Sequence, residues 1–283
     1  WAGRASEALK HPEIAVQWYS VGSRYPETFY GQLSAEKMGI DKPFSQDIAV
    51  PVDSAHRGQF RNSPLVQAAK WFDAAGLREQ TTSFLLRLSK NAKTPEDYIL
   101  AAELADDLGQ RQMAIKIAQE LQKQKGISQN KYLYPTITSE LKNIRETEWA
   151  FINAIIRQES RFDFAVVSPA GARGLMQLMP ATAKEVASRN GITHQTAWLT
   201  SRPIHNITLG SKYLTQMVNR FKGNYAMAAA AYNAGPNRVD RWLKEYGDPR
   251  RGEIDLIDWI ELIPIYETRN YVQRVLEGVY VYR

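Results

Sequence analysis

The chain contains no cysteine, so no disulfide staples it and its redox compartment cannot be read from thiols. Its four histidines, His11, His56, His194 and His205, are scattered without ligand spacing, and no metal or redox cofactor is expected. No apolar run is long enough to span a bilayer, which excludes an integral membrane segment of helical type. Thirteen prolines and seventeen glycines form no low-complexity tract, and no convincing alternation marks a strand. The net charge of +6 comes from 36 basic residues scattered among 30 acids, without a basic stripe or RNA-binding signature, so no nucleic-acid partner is expected. Such a surface suits an anionic polymer or an ordinary basic soluble protein equally. The chain opens at Trp1 with neither initiator Met nor signal peptide, and a mature or trimmed product is expected.

What the sequence does have is helical period nearly everywhere, over 283 residues of 44% hydrophobic content. That is enough for two domains with real cores. Residues 1–60 hold an amphipathic piece from His11 to Tyr25 and another from Phe29 to Met38. A proline-containing connector, Pro43 to Pro51, follows, ending in a polar stretch near His56-Arg-Gly58. Residues 64–125 echo themselves at an offset of 33: Ala68 and Ala101, Gly76 and Gly109, Arg78 and Arg111, Leu88 and Leu121 correspond. Such a period predicts stacked helix pairs, and Thr94-Pro95-Glu96-Asp97 supplies a cap, a first-turn proline and first-turn acids for one of them. Two units are few for an independent solenoid, so this part is expected to lean on neighbouring structure. Gly126 to Tyr134 marks the next boundary.

The most informative stretch is Trp149 to Pro180. Trp149 to Glu159 reads as an amphipathic helix, with Ile152, Ile155 and Ile156 on the face that carries Glu159. A desolvated carboxylate there keeps its proton near neutrality, as a general acid must; the alternative is a helix-end Glu whose head group swings into water. The following loop, Ser168-Pro-Ala-Gly171-Ala-Arg-Gly174-Leu-Met-Gln177-Leu-Met179-Pro180, combines paired glycines with Ser, Gln and Met, and resembles a cleft wall. Pro180 suits the first turn of a helix running to Arg189. Gly210 to Phe221 carries an apolar face. Tyr225 to Tyr232, with its run of alanines, suits a close-packed central helix stopped by Gly235. Tyr232 then sits at a buried helix end, either facing a cleft or as a core tyrosine. Glu267 starts a last helix with Tyr271, Val272, Val275, Leu276 and Val279 on its apolar face, and is either a cap or a cleft acid. Asp163, the obvious second carboxylate, is expected to face solvent or cap the loop.

Glu159-Ser160, Gly174-Leu-Met-Gln177 and Ala231-Tyr-Asn-Ala-Gly235, with Ile263-Pro-Ile-Tyr-Glu267-Thr-Arg-Asn-Tyr271-Val, resemble in type and order the motifs of the soluble lytic transglycosylases. The match covers about the last half of the chain. Phe164 departs from it where relatives often carry proline. The resemblance implies an all-α protein: residues 1–60 as the end of an N-terminal helical ring, 61–130 as a helical linker domain, and 131–283 as a lysozyme-like catalytic domain. It implies cleavage of peptidoglycan between N-acetylmuramic acid and N-acetylglucosamine, in the periplasm, without a cofactor.

Glu159 is the catalytic acid on this reading, then the base for the muramyl 6-hydroxyl, which closes a 1,6-anhydro ring. A site with one acid is coherent because the substrate supplies its own nucleophile, whereas ordinary glycosidases need two carboxylates. Ser168 resembles the residue that holds acid or substrate in register, Gln177 and Met179 the walls of the sugar subsites, Tyr232 a tyrosine approaching acid and sugar, and Glu267 an acid near the cleft. Asn233 is expected to fix the helix end. The glycan strand is the expected partner, with other cell-wall enzymes through the helical part. A hydrolytic lysozyme, an idle glycan-binding module and a helical scaffold remain the alternatives.

Overall fold

A computed structural model describes residues 1–40, 47–137 and 147–283. It is all-α: the described residues form seventeen α-helices and no extended strand, only isolated bridges pairing Val167 with Arg173 and Arg173 with Leu178. The chain divides into two compact units, Trp1–Phe44, Ile137–Glu159 and Phe164–Arg283 in the first, Ser45–Thr136 and Ser160–Asp163 in the second.

The first unit opens with α1 (Ala2–Ala8), α2 (Pro12–Gly22) and α3 (Phe29–Lys37). Thr28 caps α3, its hydroxyl accepting from Gly31 N, which satisfies one of the donors a helix start leaves unpaired.

The second unit holds α4 (Ser54–Asn62), α5 (Pro64–Ala74), α6 (Arg78–Asn91), α7 (Pro95–Asp107), α8 (Arg111–Lys125) and α9 (Asn130–Leu133). Here the 33-residue echo becomes two helix pairs, α5–α6 and α7–α8. Gly76 and Gly109 turn each pair at φ of +71° and +65°, the left-handed conformation that ends a helix most easily at glycine. Thr94 and Asp97 form a reciprocal capping box on α7. The stretch around His56-Arg-Gly58, read as merely polar, is helix α4. Asp53 caps it through His56 N at 2.7 Å, and Phe60 packs on the core of Val66, Leu85, Ile117 and Leu121. Residues 126–134 are likewise more than a boundary, since α9 brings Tyr132 and Leu133 into that core. Residues 43–46 of the expected connector lie outside the described residues.

The first unit continues with α10 (Trp149–Ser160), α11 (Pro180–Arg189), α12 (Trp198–Ser201), α13 (Pro203–Arg220), α14 (Tyr225–Ala234), α15 (Pro236–Tyr246), α16 (Leu256–Glu261) and α17 (Tyr266–Tyr282). Helix α10 is not one-faced as its period suggests: every residue from Phe151 to Ile156 is buried. Its three isoleucines contribute about 2 kcal/mol each by leaving water. Asn153 is tolerated inside because its amide donates to Trp149 O and accepts from Ile137 N. Ala226 to Ala231 of α14 are buried throughout; such small side chains let several helices approach one axis. The first three helices belong to this unit by specific bonds: Phe29 N donates to Glu277 Oε1 at 2.7 Å and Arg4 to Asp258 at 3.0 Å.

Candidate active site

Glu159 stands in the last turn of the buried helix α10. The residue is half-buried and its carboxyl is enclosed. Burial raises its pKa from 4.5 to about 7; the Glu267 charge adds to the rise, and a hydrogen bond from Tyr271 opposes it. The Tyr271 hydroxyl donates to Glu159 Oε1 at 2.7 Å, which leaves Oε2 as the oxygen to carry a proton. Helix α17 can bring Tyr271 there because Gly278 lies against α10: a Cβ at that position would stand 2.9 Å from Ala154 Cβ, closer than van der Waals contact allows.

Tyr232 ends the alanine helix, and its hydroxyl donates to Met176 O at 2.8 Å. Burial, and then the charge of Glu159, hold the phenols of both Tyr232 and Tyr271 well above their ordinary value. Both therefore stay neutral hydroxyl donors beside the acid.

The loop before α11 is built backbone first. Arg173 pairs with Leu178 through two backbone bonds, and Gly174 N donates to Val166 O. Gly174 takes φ of +74°, and a Cβ there would meet Leu199 O at 2.0 Å; only glycine fits. Asn206 of α13, fully buried, locks this turn by accepting from Met176 N at 2.9 Å and donating to Arg173 O and Leu199 O. Gln177 is held at φ of +45°, a region uncommon outside glycine, and its amide nitrogen donates to Gly174 O at 2.8 Å.

The expected site residues fall into place unevenly. Glu159 sits with Tyr271 and Tyr232, and Glu267, exposed at the start of α17, acts on it through charge. Ser168 Oγ accepts from Ala172 N at 3.0 Å, closing its own turn and leaving its hydroxyl hydrogen to donate. Met179 is 44% exposed at the N-cap of α11. Asn233, near the end of α14, accepts from Thr268 of α17 at 2.7 Å. Asp163 is half-buried in the second unit and ion-paired with Arg78 at 3.1 Å, rather than facing solvent. Two of the scattered histidines also meet, His194 Nδ1 and His205 Nε2 lying 3.0 Å apart. Sequence reasoning missed Tyr271 and Asn206. A phenol on an otherwise aliphatic helix face was the available sign for the first; the second had none.

Residues 137–254 match the transglycosylase SLT domain. This region belongs to the lytic transglycosylase family. A putative soluble lytic murein transglycosylase of Haemophilus influenzae is 41% identical over 141 residues, 50% of this chain and 23% of that protein. The soluble lytic murein transglycosylase of Escherichia coli K12 is 39% identical over 140 residues, 49% of this chain and 21% of the other. In structure, the lytic transglycosylase Slt of Pseudomonas aeruginosa, solved as an inactive mutant, matches at a TM-score of 0.80 and 31% identity, over 99% of this chain and 45% of that one. The 70-kDa soluble lytic transglycosylase of Escherichia coli matches at 0.82 and 26%, over 100% and 45%. The chain thus spans under half the length of these relatives, and shares their all-α, lysozyme-like fold. Among the described residues no helix is long and apolar enough to cross a membrane, and no cluster of three or more His, Cys, Asp or Glu could hold a metal ion.

Proposed function

We propose that this chain is a peptidoglycan lytic transglycosylase that cleaves the β-1,4 bond between N-acetylmuramic acid and N-acetylglucosamine and leaves a 1,6-anhydro end. The observation that carries this reading is Glu159, an enclosed carboxyl with a pKa of about 7 and a tyrosine donor fixed on one oxygen. At neutral pH about half of such groups hold a proton, so one residue can give it and take it back. Glu159 Oε2 protonates the glycosidic oxygen as its bond to C1 breaks. The resulting carboxylate accepts the proton of the muramyl 6-hydroxyl while that oxygen bonds to C1. Atoms balance without water, and the acid returns to its starting state. The 2-acetamido group stabilises the positive charge at C1 in between.

Tyr271 holds the carboxyl in place through both protonation states, always as donor. Tyr232 anchors the Gly174–Gln177 turn through Met176 O, so it acts by shaping the wall that faces the sugar. Ser168 offers its hydroxyl hydrogen to acid or substrate, Gln177 and exposed Met179 line the sugar subsites, and Glu267 raises the acid's proton affinity by its charge. Residues 1–60 and 61–130 correspond on this reading to the end of a helical ring and a linker domain, which recruits other cell-wall enzymes in the periplasm. The test is a digest of purified peptidoglycan: wild type yields ends lighter by one water than hydrolysed ends, and Glu159→Gln yields none while remaining folded. Hydrolysed ends would make the protein a lysozyme, and undiminished turnover by the variant would remove Glu159 from the mechanism.

A further inference from the structure

His194 and His205 have no part in the chemistry above, yet their rings are joined. His194 Nδ1 and His205 Nε2 lie 3.0 Å apart. The ring centroids are 5.3 Å apart and the planes within 8° of each other, so the contact runs along both ring planes, the direction in which an imidazole N–H points. One proton fits between the two nitrogens, and the outer nitrogens differ. His194 Nε2 is buried without a partner, an enclosure that His205 Nδ1 does not share. An orphaned N–H is rarer inside a protein than an orphaned acceptor. The neutral pair therefore keeps Nε2 bare: His194 Nδ1–H donates to His205 Nε2, and His205 holds its own proton on Nδ1.

In that arrangement a further proton ends on His194 Nε2, whichever ring it meets first, and no acceptor waits for it there. Nothing beside the pair offsets the charge. Arg202, its guanidinium 3.9 Å over the Trp198 ring that stands edge-on to His205, acts on His205 as a second cation. Lys184 of α11 lines the same cavity of about 460 Å³ as His194. No carboxylate of the described residues acts on either ring. Burial holds both imidazoles below their ordinary value of 6.5, and the charges of His194 and Arg202 lower His205 further. Stability drawn from the neutral pair is therefore complete above pH 6.5 and is lost as pH falls below it. A charged His194 gains water by turning into the cavity, and that turn breaks its bond to His205. The bond ties the segment between α11 and α12 to the first turn of α13, next to Asn206, which holds Met176, Arg173 and Leu199 around Gly174. We propose that the His194–His205 pair is a proton-released latch behind the glycan cleft, closed while both rings are neutral and opened in acid by a proton on His194. It rests on the reading of the Gly174–Gln177 turn as a wall of that cleft and adds a control on how firmly the wall is held.

The test compares two variants of the full chain that keep the central bond. His194→Asn puts an amide nitrogen where Nδ1 stands and cannot take a proton. His205→Gln puts an amide oxygen where Nε2 stands and leaves His194 able to titrate. Between pH 7 and pH 5, KM for a soluble peptidoglycan fragment should rise about fivefold in wild type and in His205→Gln, and stay level in His194→Asn; at pH 7 all should agree. A role in packing alone would move both variants alike at every pH. Ring-nitrogen NMR of wild type should show His194 and His205 titrating together, below 6.5, with loss of their shared bond. His194→Asn following wild type down to pH 5, or a wild-type KM level over that range, overturns the proposal. So do two rings that titrate independently at the ordinary value, a reading of wild type that decides the matter even where a variant does not fold. Failure of the proposed reaction shows differently: wild type releases no anhydro-ended product at any pH, while the ring titration is unchanged.

Discussion

Replacing Glu159 by Gln should abolish catalysis and at the same time stabilise the first unit, in a pH-dependent way. The folded carboxyl has its pKa raised from 4.5 to about 7. A carboxyl raised in this sense contributes stability that is fully present below the unfolded pKa and is lost as pH rises through the folded one, so the window runs from 4.5 to about 7. A tenfold gain in proton affinity on folding corresponds to about 1.4 kcal/mol, and the rise from 4.5 to about 7 corresponds to roughly 3 kcal/mol as an upper bound. Gln has the shape and neutrality of the protonated acid and still accepts from Tyr271. Variant and wild type should therefore melt together near pH 4.5, and the variant should melt higher at pH 8.5, by up to roughly 6–10 °C for a domain of this size. Differential scanning calorimetry at the two pH values, following the transition of the first unit, reads this directly. A melting difference equal at both pH values, or a variant less stable at pH 8.5, would refute the claim that Glu159 is desolvated.

Three further outcomes follow from the geometry. Tyr271→Phe removes the donor that favours the ionised acid, so the alkaline limb of the pH–rate profile should move up while kcat falls about tenfold; an unmoved limb would reduce Tyr271 to packing. Asn206→Ala leaves Met176 N, Arg173 O and Leu199 O without their partner and should cost about 3 kcal/mol by urea unfolding. A loss under about 0.5 kcal/mol would show the turn to be held by its backbone alone. Gly174→Ala meets both a left-handed backbone and the Leu199 carbonyl, and should lower activity and stability together by about 3 kcal/mol or more; a folded, fully active variant would contradict the close approach.

Much of the fold was legible because it is written in local terms. The 33-residue echo corresponds to two helix pairs whose turns are made by Gly76 and Gly109. Thr94 with Asp97 caps α7, and Ala226 and Ala228 to Ala231 of α14 are buried. Polar helix α4 escaped notice because its few apolar contacts are made with distant residues rather than along its own face. Glu159 could be found because three isoleucines share its helix face. Tyr271 lies 112 residues away in sequence, Asn206 approaches from another helix, and Asp163 is paired by a residue 85 positions earlier. Such long-range partners leave no periodic trace. The same holds for the meeting of His194 with His205, which spacing alone had scattered.

The most direct measurement is kcat/KM for release of anhydro-ended product across pH 4 to 9. With Glu159 as the group that must carry the proton, the rate should fall as pH rises through about 7, and this limb should vanish with the activity in Glu159→Gln. A rate that already collapses near the ordinary carboxylate value of 4.5, or one that stays level past pH 8, would mean that the proton comes from elsewhere.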